Sequence, residues 1–366
     1  MNPIRASLLL MLAVTLSGCK DPKWEAEVKW REDQVNAMET EIATRAKFLE
    51  NDRKAFKSKE DEVKQQLDGI LRREQEIRQY EQGVLQREKL LEEKKKQLDA
   101  QEAELKKGLA KLEIKRKRGP VPATTAQRIL VLDPAQDEVL FERNADLKGA
   151  IASTTKVLTA ILIIEAGNLD QIVKIQDRDT RCAPVRIGLK AGQEYTRRDL
   201  LTALMVKSSN DIAQALARDN AGSVEAFVVK MNEKAKAMGS GDCLFINPNG
   251  LPPVDGQPAP YCSARDLASI CEFADTLPDL RAMVRLKSYV FNKPDGKSVL
   301  LENTNRVLKS CDYCDGMKTG YTQAAGYCLV ATGERGGKRR IIVVLNGTQG
   351  GVWKDAQALL DWALKA

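Results

Sequence analysis

The sequence predicts an α+β domain, an antiparallel sheet flanked by helices, preceded by a long helical coiled-coil rod. Three observations carry this. Residues 23–118 are polar, almost free of helix breakers, and apolar at every seventh position. The stretch KRKRGPVPATTAQ then breaks the composition with a basic cluster and two prolines, marking a linker over 119–125. Beyond it, strand-like runs lie at both ends of a segment whose middle has helical periodicity, so the two ends are expected to share one sheet under the helices.

The rod follows from the seven-residue repeat Val28, Val35, Ile42, Leu49, Phe56, Val63, Ile70, Ile77, Val84, Leu91, Leu98, Leu105, Leu112. Three residues on from these, the chain offers Arg31, Met38, Arg45, Asp52, Lys59, Gln66, Arg73 and Tyr80, which is half a seam. This pattern predicts either a weak homo-oligomer through the coiled coil or a single charged helix that stands alone. A continuous helix of this length reaches about 140 Å, the length of a spacer.

In the domain, from 126 to 366, RILVLD and EVLFERN read as strands around the turn PAQD. Helical patterns follow at 154–166, 197–206, 209–219, 223–237 and 264–275. GYCLVATGERGGKRRIIVVLNG reads as a second hairpin, and KDAQALLDWALK as a closing amphipathic helix.

The chain has 366 residues, a formal net charge of +7 and no histidine. Acids and bases alternate without an aromatic-basic groove, so no nucleic-acid partner is expected. Without histidine, Ser-His and Cys-His dyads and histidine metal sites are excluded, and any nucleophile needs another base.

The N-terminus MNPIRASLLLMLAVTLSGCK has one early arginine, an apolar core too short to span a bilayer, and small residues before Cys19. It reads as an export signal over 1–18, and LSGC resembles the lipobox of bacterial lipoproteins, with Cys19 lipidated; an ordinary signal peptide is the alternative. The implied location is a membrane facing the periplasm, and Lys20 points to the outer one. Of eight cysteines, seven remain besides Cys19, so at least one stays free or pairs with another chain. Cys311 and Cys314 form a C-x-x-C, read as a local disulfide or buried thiols; no metal or cofactor is expected.

Three short motifs carry the chemistry. Ser153-x-x-Lys156 opens an apolar helical run; a second Ser-x-x-Lys, Ser17 to Lys20, straddles the presumed cleavage site. Ser208-Ser209-Asn210 is the only Ser-x-Asn in the chain, and Lys318-Thr319-Gly320 the only Lys-Thr-Gly. Taken singly, these are a helix cap, another cap and a turn. In this order they form the trio of penicillin-binding proteins and class A β-lactamases.

With the supporting segments VLDPAQDEVLFERNAD, RIGLKAGQEYTRRDLL, FINPNGL and DGMKTGYTQAAGYCLVA, residues from about 125 to 364 resemble the low-molecular-weight penicillin-binding proteins, serine-type D-Ala-D-Ala carboxypeptidases. The resemblance implies the penicillin-binding/β-lactamase-like transpeptidase fold and removal of the terminal D-alanine from peptidoglycan stem peptides, with β-lactams as covalent inhibitors. It implies Ser153 as nucleophile, Lys156 as base and Ser208 as proton relay to the leaving amine. Asn210 would hold the substrate's peptide carbonyl, Lys318 and Thr319 would anchor the terminal carboxylate, and Gly320 would let the substrate add as a strand. The backbone N–H groups of Ser153 and Tyr321 would form the oxyanion hole.

The sequence departs from the family at Ser209, where glycine is usual, and at Tyr321, where histidine is frequent. An arginine usual before the last helix has no counterpart in QGGVWKDA, where Lys354 is the nearest cation. A β-lactamase is disfavoured because no Glu-x-x-Leu-Asn segment lies between Asn210 and Lys318. Two alternatives remain: a D,D-endopeptidase cutting crosslinks with the same residues, and a non-catalytic cell-wall docking domain whose rod is the functional part.

Overall fold

The computed structural model describes residues 21–253 and 259–365. The signal segment 1–18, Cys19 and the second Ser-x-x-Lys lie outside the described residues. Helix α1, Pro22–Arg118, runs for 97 residues with none of them buried. Its surface is laced by pairs with the acid four residues N-terminal to the base, Glu27–Arg31 at 2.8 Å and Glu74–Arg78 at 2.6 Å among them. That order suits the helix dipole, as do the four basic residues of its last turn. Most of the heptad residues lie open, Phe56 at 74% exposure and Leu91 at 67%, while Val28 and Val35 are half-buried.

Two compact units divide the chain, one ending at Leu105 and one running from Lys106 to Ala366. This boundary falls inside α1, not at the 119–125 linker that composition marks. The last helical residues belong with the domain because they touch it. Lys111 Nζ lies 3.4 Å from Glu138, the Arg118 guanidinium stands 5.5 Å from the Trp362 ring centre, and Trp362 Nε1 donates to Gly119 O at 3.0 Å.

The domain begins with strands β1 (Arg128–Asp133) and β2 (Glu138–Arg143). A 3-10 turn, Ala152–Thr155, then runs directly into α2 (Lys156–Glu165). Strand β3 (Ile172–Lys174), α3 (Asp177–Thr180) and β4 (Glu194–Thr196) lead to α4 (Arg197–Lys207), α5 (Asn210–Ala221) and α6 (Val224–Ala237). Next come α7 (Ala264–Asp275), α8 (Pro278–Val284), the small hairpin β5 (Ser288–Asn292) and β6 (Ser298–Glu302), and α9 (Val307–Ser310). Strands β7 (Cys314–Thr322), β8 (Gly326–Arg335) and β9 (Lys338–Gly347) and helix α10 (Gly351–Leu364) close the chain.

Both expected hairpins do enter one antiparallel sheet, in the order β2-β1-β9-β8-β7. The edge strand β7, which carries Lys-Thr-Gly, is the addition; its polar and glycine-rich sequence hides a strand. Alternation sorts the faces. Leu130, Leu132, Val330, Ile341, Val343 and Leu345 join the core with the helices between 156 and 284, whereas Ile129, Val131, Leu329, Ala331, Ile342 and Val344 pack on α10. Both faces are covered, so β1 and β9 read as continuous apolar runs. Helix α2 lies inside the first core, with Val157, Ala160, Ile161 and Ile163 at 0% exposure. Each such Val or Ile contributes about 1.5–3 kcal/mol of burial, which is what holds the first turn of α2 in place.

Among the described cysteines, Cys243 and Cys262 form a disulfide, and Cys182, Cys271, Cys311, Cys314 and Cys328 are free. The C-x-x-C pair is therefore two buried thiols, with burial pushing Cys311 up to about 11 and Cys314 to about 12.

Candidate active site

Ser153 lies in the 3-10 turn, one residue after Ala152, whose φ of +50° is rare for a residue with a side chain. It does not cap α2: the N-cap position belongs to Thr155, which makes no side-chain cap bond. Instead Ser153 Oγ donates to the carbonyl of Asn249 at 3.2 Å and meets Lys156 Nζ at 2.8 Å. The three-residue spacing returns Lys156 to the same side of the turn, as the motif requires.

Lys156 is completely buried, yet its Nζ is held by polar groups. Its Nζ is 2.9 Å from Asn210 Oδ1 and 2.9 Å from Asn249 O. Burial first, and the nearby charge of Lys318 second, hold this ammonium well below the usual lysine range. Lys318 is also buried and is pushed down to about 7 by desolvation.

Ser208, Ser209 and Asn210 occupy the tight link between α4 and α5. Ser208 ends α4 in the left-handed conformation, φ +65°, so two helix ends are brought to one point. Its Oγ accepts from Lys318 Nζ at 2.8 Å, and Lys318 Nζ also donates to Thr319 O at 3.0 Å. The structure thus joins Ser208 to Lys318, where the relay role suggested a link to Lys156. Asn210 Nδ2 donates to the carbonyls of Ala183 and Pro184, at 3.2 and 3.0 Å. Ser209 points inward, fully buried, and its hydroxyl has no partner among the described residues. That agrees with its being the position where glycine suffices.

Strand β7 brings the third motif alongside the turn. A Cβ on Gly320 would sit 2.8 Å from Ser153 N and 3.0 Å from Ile151 O, so only glycine permits this approach. Thr319 Oγ1 lies 2.7 Å from Thr304 Oγ1. Tyr321 is 56% exposed and its ring packs at a tilt on Tyr327, with centres 4.4 Å apart. A cavity of about 380 Å³ opens here, lined by Ser153, Ser208, Asn210, Thr319, Gly320 and Trp353 among others, none of them acidic among the described residues. A larger cavity of about 730 Å³, between the end of α1 and β2, holds no nucleophile-base pair.

All six motif side chains therefore meet: Ser153, Lys156, Ser208, Asn210, Lys318 and Thr319. Motif reading passed over Asn249 and Gly250, although FINPNGL contains both. The Asn249 carbonyl holds the nucleophile and the lysine together. Gly250, at φ +74°, lies where a Cβ would fall 1.9 Å from Ala152 O. The loop bearing them is pinned by Thr159 Oγ1 on Pro248 O, at 2.7 Å, and by the Cys243–Cys262 bridge. Asp211 was also passed over. It is buried, and it accepts from the amides of Gly188 and Leu189 at 3.0 and 3.1 Å, fixing the loop that meets Asn210.

Comparison with known proteins points the same way. A family model described as D-alanyl-D-alanine carboxypeptidase matches residues 115–349. The D-alanyl-D-alanine carboxypeptidase DacF of Bacillus subtilis is 34% identical over 247 residues, 63% of this chain and 60% of that protein's length. A D-alanyl-D-alanine endopeptidase of Pseudomonas aeruginosa is 32% identical over 206 residues, 55% of this chain and 64% of its own length. The crystal structure of a D-alanyl-D-alanine carboxypeptidase from Mycobacterium tuberculosis superposes with a TM-score of 0.63 at 33% identity, covering 67% of this chain and 92% of that one.

Proposed function

The chain belongs to the D-alanyl-D-alanine carboxypeptidase family, and within it we propose that this protein removes the terminal D-alanine from peptidoglycan stem peptides through an acyl-enzyme on Ser153. The observation that carries the reading is the 2.8 Å contact between Ser153 Oγ and a fully buried Lys156 held well below the usual lysine range. In the neutral amine, two N–H bonds serve the oxygens of Asn210 and Asn249, and a turn of the Ser153 hydroxyl from the Asn249 carbonyl lets it donate to the lysine lone pair.

As Ser153 Oγ attacks the carbonyl carbon of the scissile D-Ala-D-Ala bond, Lys156 takes its proton. The amides of Ser153 and Tyr321 receive the oxyanion, a role supported by the close approach of Gly320 to Ser153 N. The proton taken up by Lys156 is then relayed through Ser208, which Lys318 positions, to the leaving nitrogen, so that D-alanine departs and Lys156 is neutral again. Asn210 and Thr319 hold the substrate's carbonyl and carboxylate. Water then hydrolyses the ester on Ser153. A β-lactam acylates the same serine.

The test is labelling with a fluorescent penicillin followed by digestion of purified muropeptides. A covalent adduct on the wild type that is lost in Ser153→Ala, with release of free D-alanine, is expected. No adduct, or one that persists in Ser153→Ala, overturns the reading. The likeness to an endopeptidase supports a second reading, cleavage of crosslinks, for which the same digestion converts dimers to monomers.

We further propose that a lipid on Cys19 tethers the protein to a membrane facing the periplasm, the outer one favoured, with the 97 residues of α1 as spacer and its heptad stripe as a weak self-association surface. Mass spectrometry of the mature N-terminus and sedimentation of the full chain test these points.

A further inference from the structure

Two distant segments build the cradle of the nucleophile. One, residues 147–152, leads into Ser153. The other is the loop between Cys243 and Cys262, whose Asn249 carbonyl meets both Ser153 Oγ and Lys156 Nζ. The geometry at Ser153 therefore depends on how these segments are held together. Backbone bonds do part of this: Gly149 N donates to Cys262 O at 3.2 Å, and Cys262 N to Gly149 O at 3.0 Å.

Arg128, in the first position of β1, does the rest. Its side chain lies on the same face of the strand as Leu130 and Leu132 and is buried, at 4% exposure. Nη1 donates to Leu147 O at 3.3 Å and to Cys262 O at 3.0 Å, and Nη2 donates to Ala150 O at 2.7 Å. One guanidinium thus ties both segments to the central sheet. No acidic side chain pairs with it among the described residues, whereas Arg197, Arg218, Arg339 and Arg340 are each paired with aspartate. A cation buried without an acid is costly, and here backbone carbonyls offset that cost through charge-assisted hydrogen bonds. The planar fork reaches acceptors on two segments at once, which the compact ammonium of a lysine does not. Gly149 suits this contact: a Cβ there would fall 3.1 Å from the guanidinium carbon.

We propose that Arg128 is a positioning residue for Ser153. By locking residues 147–150 to Cys262, its guanidinium sets the distance between the serine turn and the Asn249 carbonyl, and so keeps Ser153 Oγ where Lys156 takes its proton. Arg128 does not line the cleft, and it acts only through these two segments. This role rests on the acyl-enzyme reading above.

The test is single-turnover labelling with a fluorescent penicillin, in which the limiting acylation rate is separated from the constant for noncovalent binding. Arg128→Met is expected to lower the limiting rate by about tenfold to a hundredfold, the scale of a misplacement of about 1 Å, and to change noncovalent binding less than about twofold. A residue that served folding alone would reduce the fraction of protein labelled, but not the rate constant of the fraction that labels. Gly149→Ala keeps the arginine and displaces its guanidinium by a few tenths of an ångström. It is expected to slow the same step by about threefold to tenfold. A wild-type limiting rate in Arg128→Met overturns the proposal, as does a loss confined to noncovalent binding. If Arg128→Met does not fold, Gly149→Ala decides, and a wild-type limiting rate there overturns the proposal equally. Wild-type protein that takes up no penicillin fails the acyl-enzyme reading itself, a different result from an active enzyme indifferent to Arg128.

Discussion

Gly320 lies against the backbone of Ser153 so closely that a methyl group on it would fall 2.8 Å from the serine nitrogen. Two segments more than 160 residues apart in sequence are thereby fitted together at the proposed oxyanion hole. Gly320→Ala must push β7 away from the turn and separate the two donor amides. The expected loss in penicillin acylation rate is about a hundredfold or more, the cost of one oxyanion donor, with thermal unfolding shifted little because β7 is an edge strand. Acylation at the wild-type rate would show that this approach does not serve the chemistry.

The buried lysines set the pH dependence. Acylation needs Lys156 neutral, which its lowered pKa allows well below the usual lysine range, and it needs the charge on Lys318, which is lost near 7. The profile of kcat/KM is therefore expected to fall on its alkaline side with an apparent pKa of about 7, and that of kcat to fall later, because a bound carboxylate favours the charged lysine. Stability runs the other way. Between about 7, where Lys318 titrates in the fold, and 10.5, where it titrates unfolded, the unfolded chain binds the extra proton, so this lysine's contribution to stability rises with pH, offset above about 9 by the buried thiols, which burial keeps protonated. Thermal melts across this window check the rise, which Lys318→Met should flatten.

The Cys243–Cys262 bridge closes a loop of sequence separation 19 that carries the Asn249 carbonyl to Ser153 and Lys156. A loop of this size is worth about 3 kcal/mol in chain entropy. The double variant Cys243→Ser, Cys262→Ser is expected to lose stability on that scale and to acylate more slowly, since the shared acceptor is then less firmly held. Equal acylation rates for the variant and the wild type would separate the bridge from the active site.

Ser209 is completely buried, and its hydroxyl meets no partner among the described residues. Ser209→Ala removes a desolvated polar group without opening a cavity. It should stabilise the domain by about 1 kcal/mol and leave acylation unchanged, as denaturant unfolding and penicillin labelling will read.

Much of this was legible in local patterns. The apolar runs of β1 and β9, the amphipathic helices between 154 and 275, and the long repeat of α1 are set by periodicity within a few residues. The motif residues were legible as well, because Ser153 with Lys156, Ser208 with Asn210, and Lys318 with Thr319 are each close in sequence. Strand β7 was not, since Cys314–Thr322 has the composition of a turn and becomes a strand only by pairing with β8. The same holds for the domain boundary: the linker prolines mark where α1 ends, but its contacts at Lys111 and Arg118 carry its last turns into the domain.

By itself the sequence determined the long helix, the two outer hairpins, the main helices, the order of the three motifs and the exclusion of histidine chemistry, all properties of neighbours along the chain. The tertiary structure alone decided that Ser208 meets Lys318, that the Asn249 carbonyl joins Ser153 to Lys156, and that Arg128 joins Ala150 to Cys262. It also decided which two of the seven described cysteines pair. The physical reason is common to all four. A backbone carbonyl or a disulfide partner has no local signature, and becomes specific only when the core has brought distant segments within bonding distance.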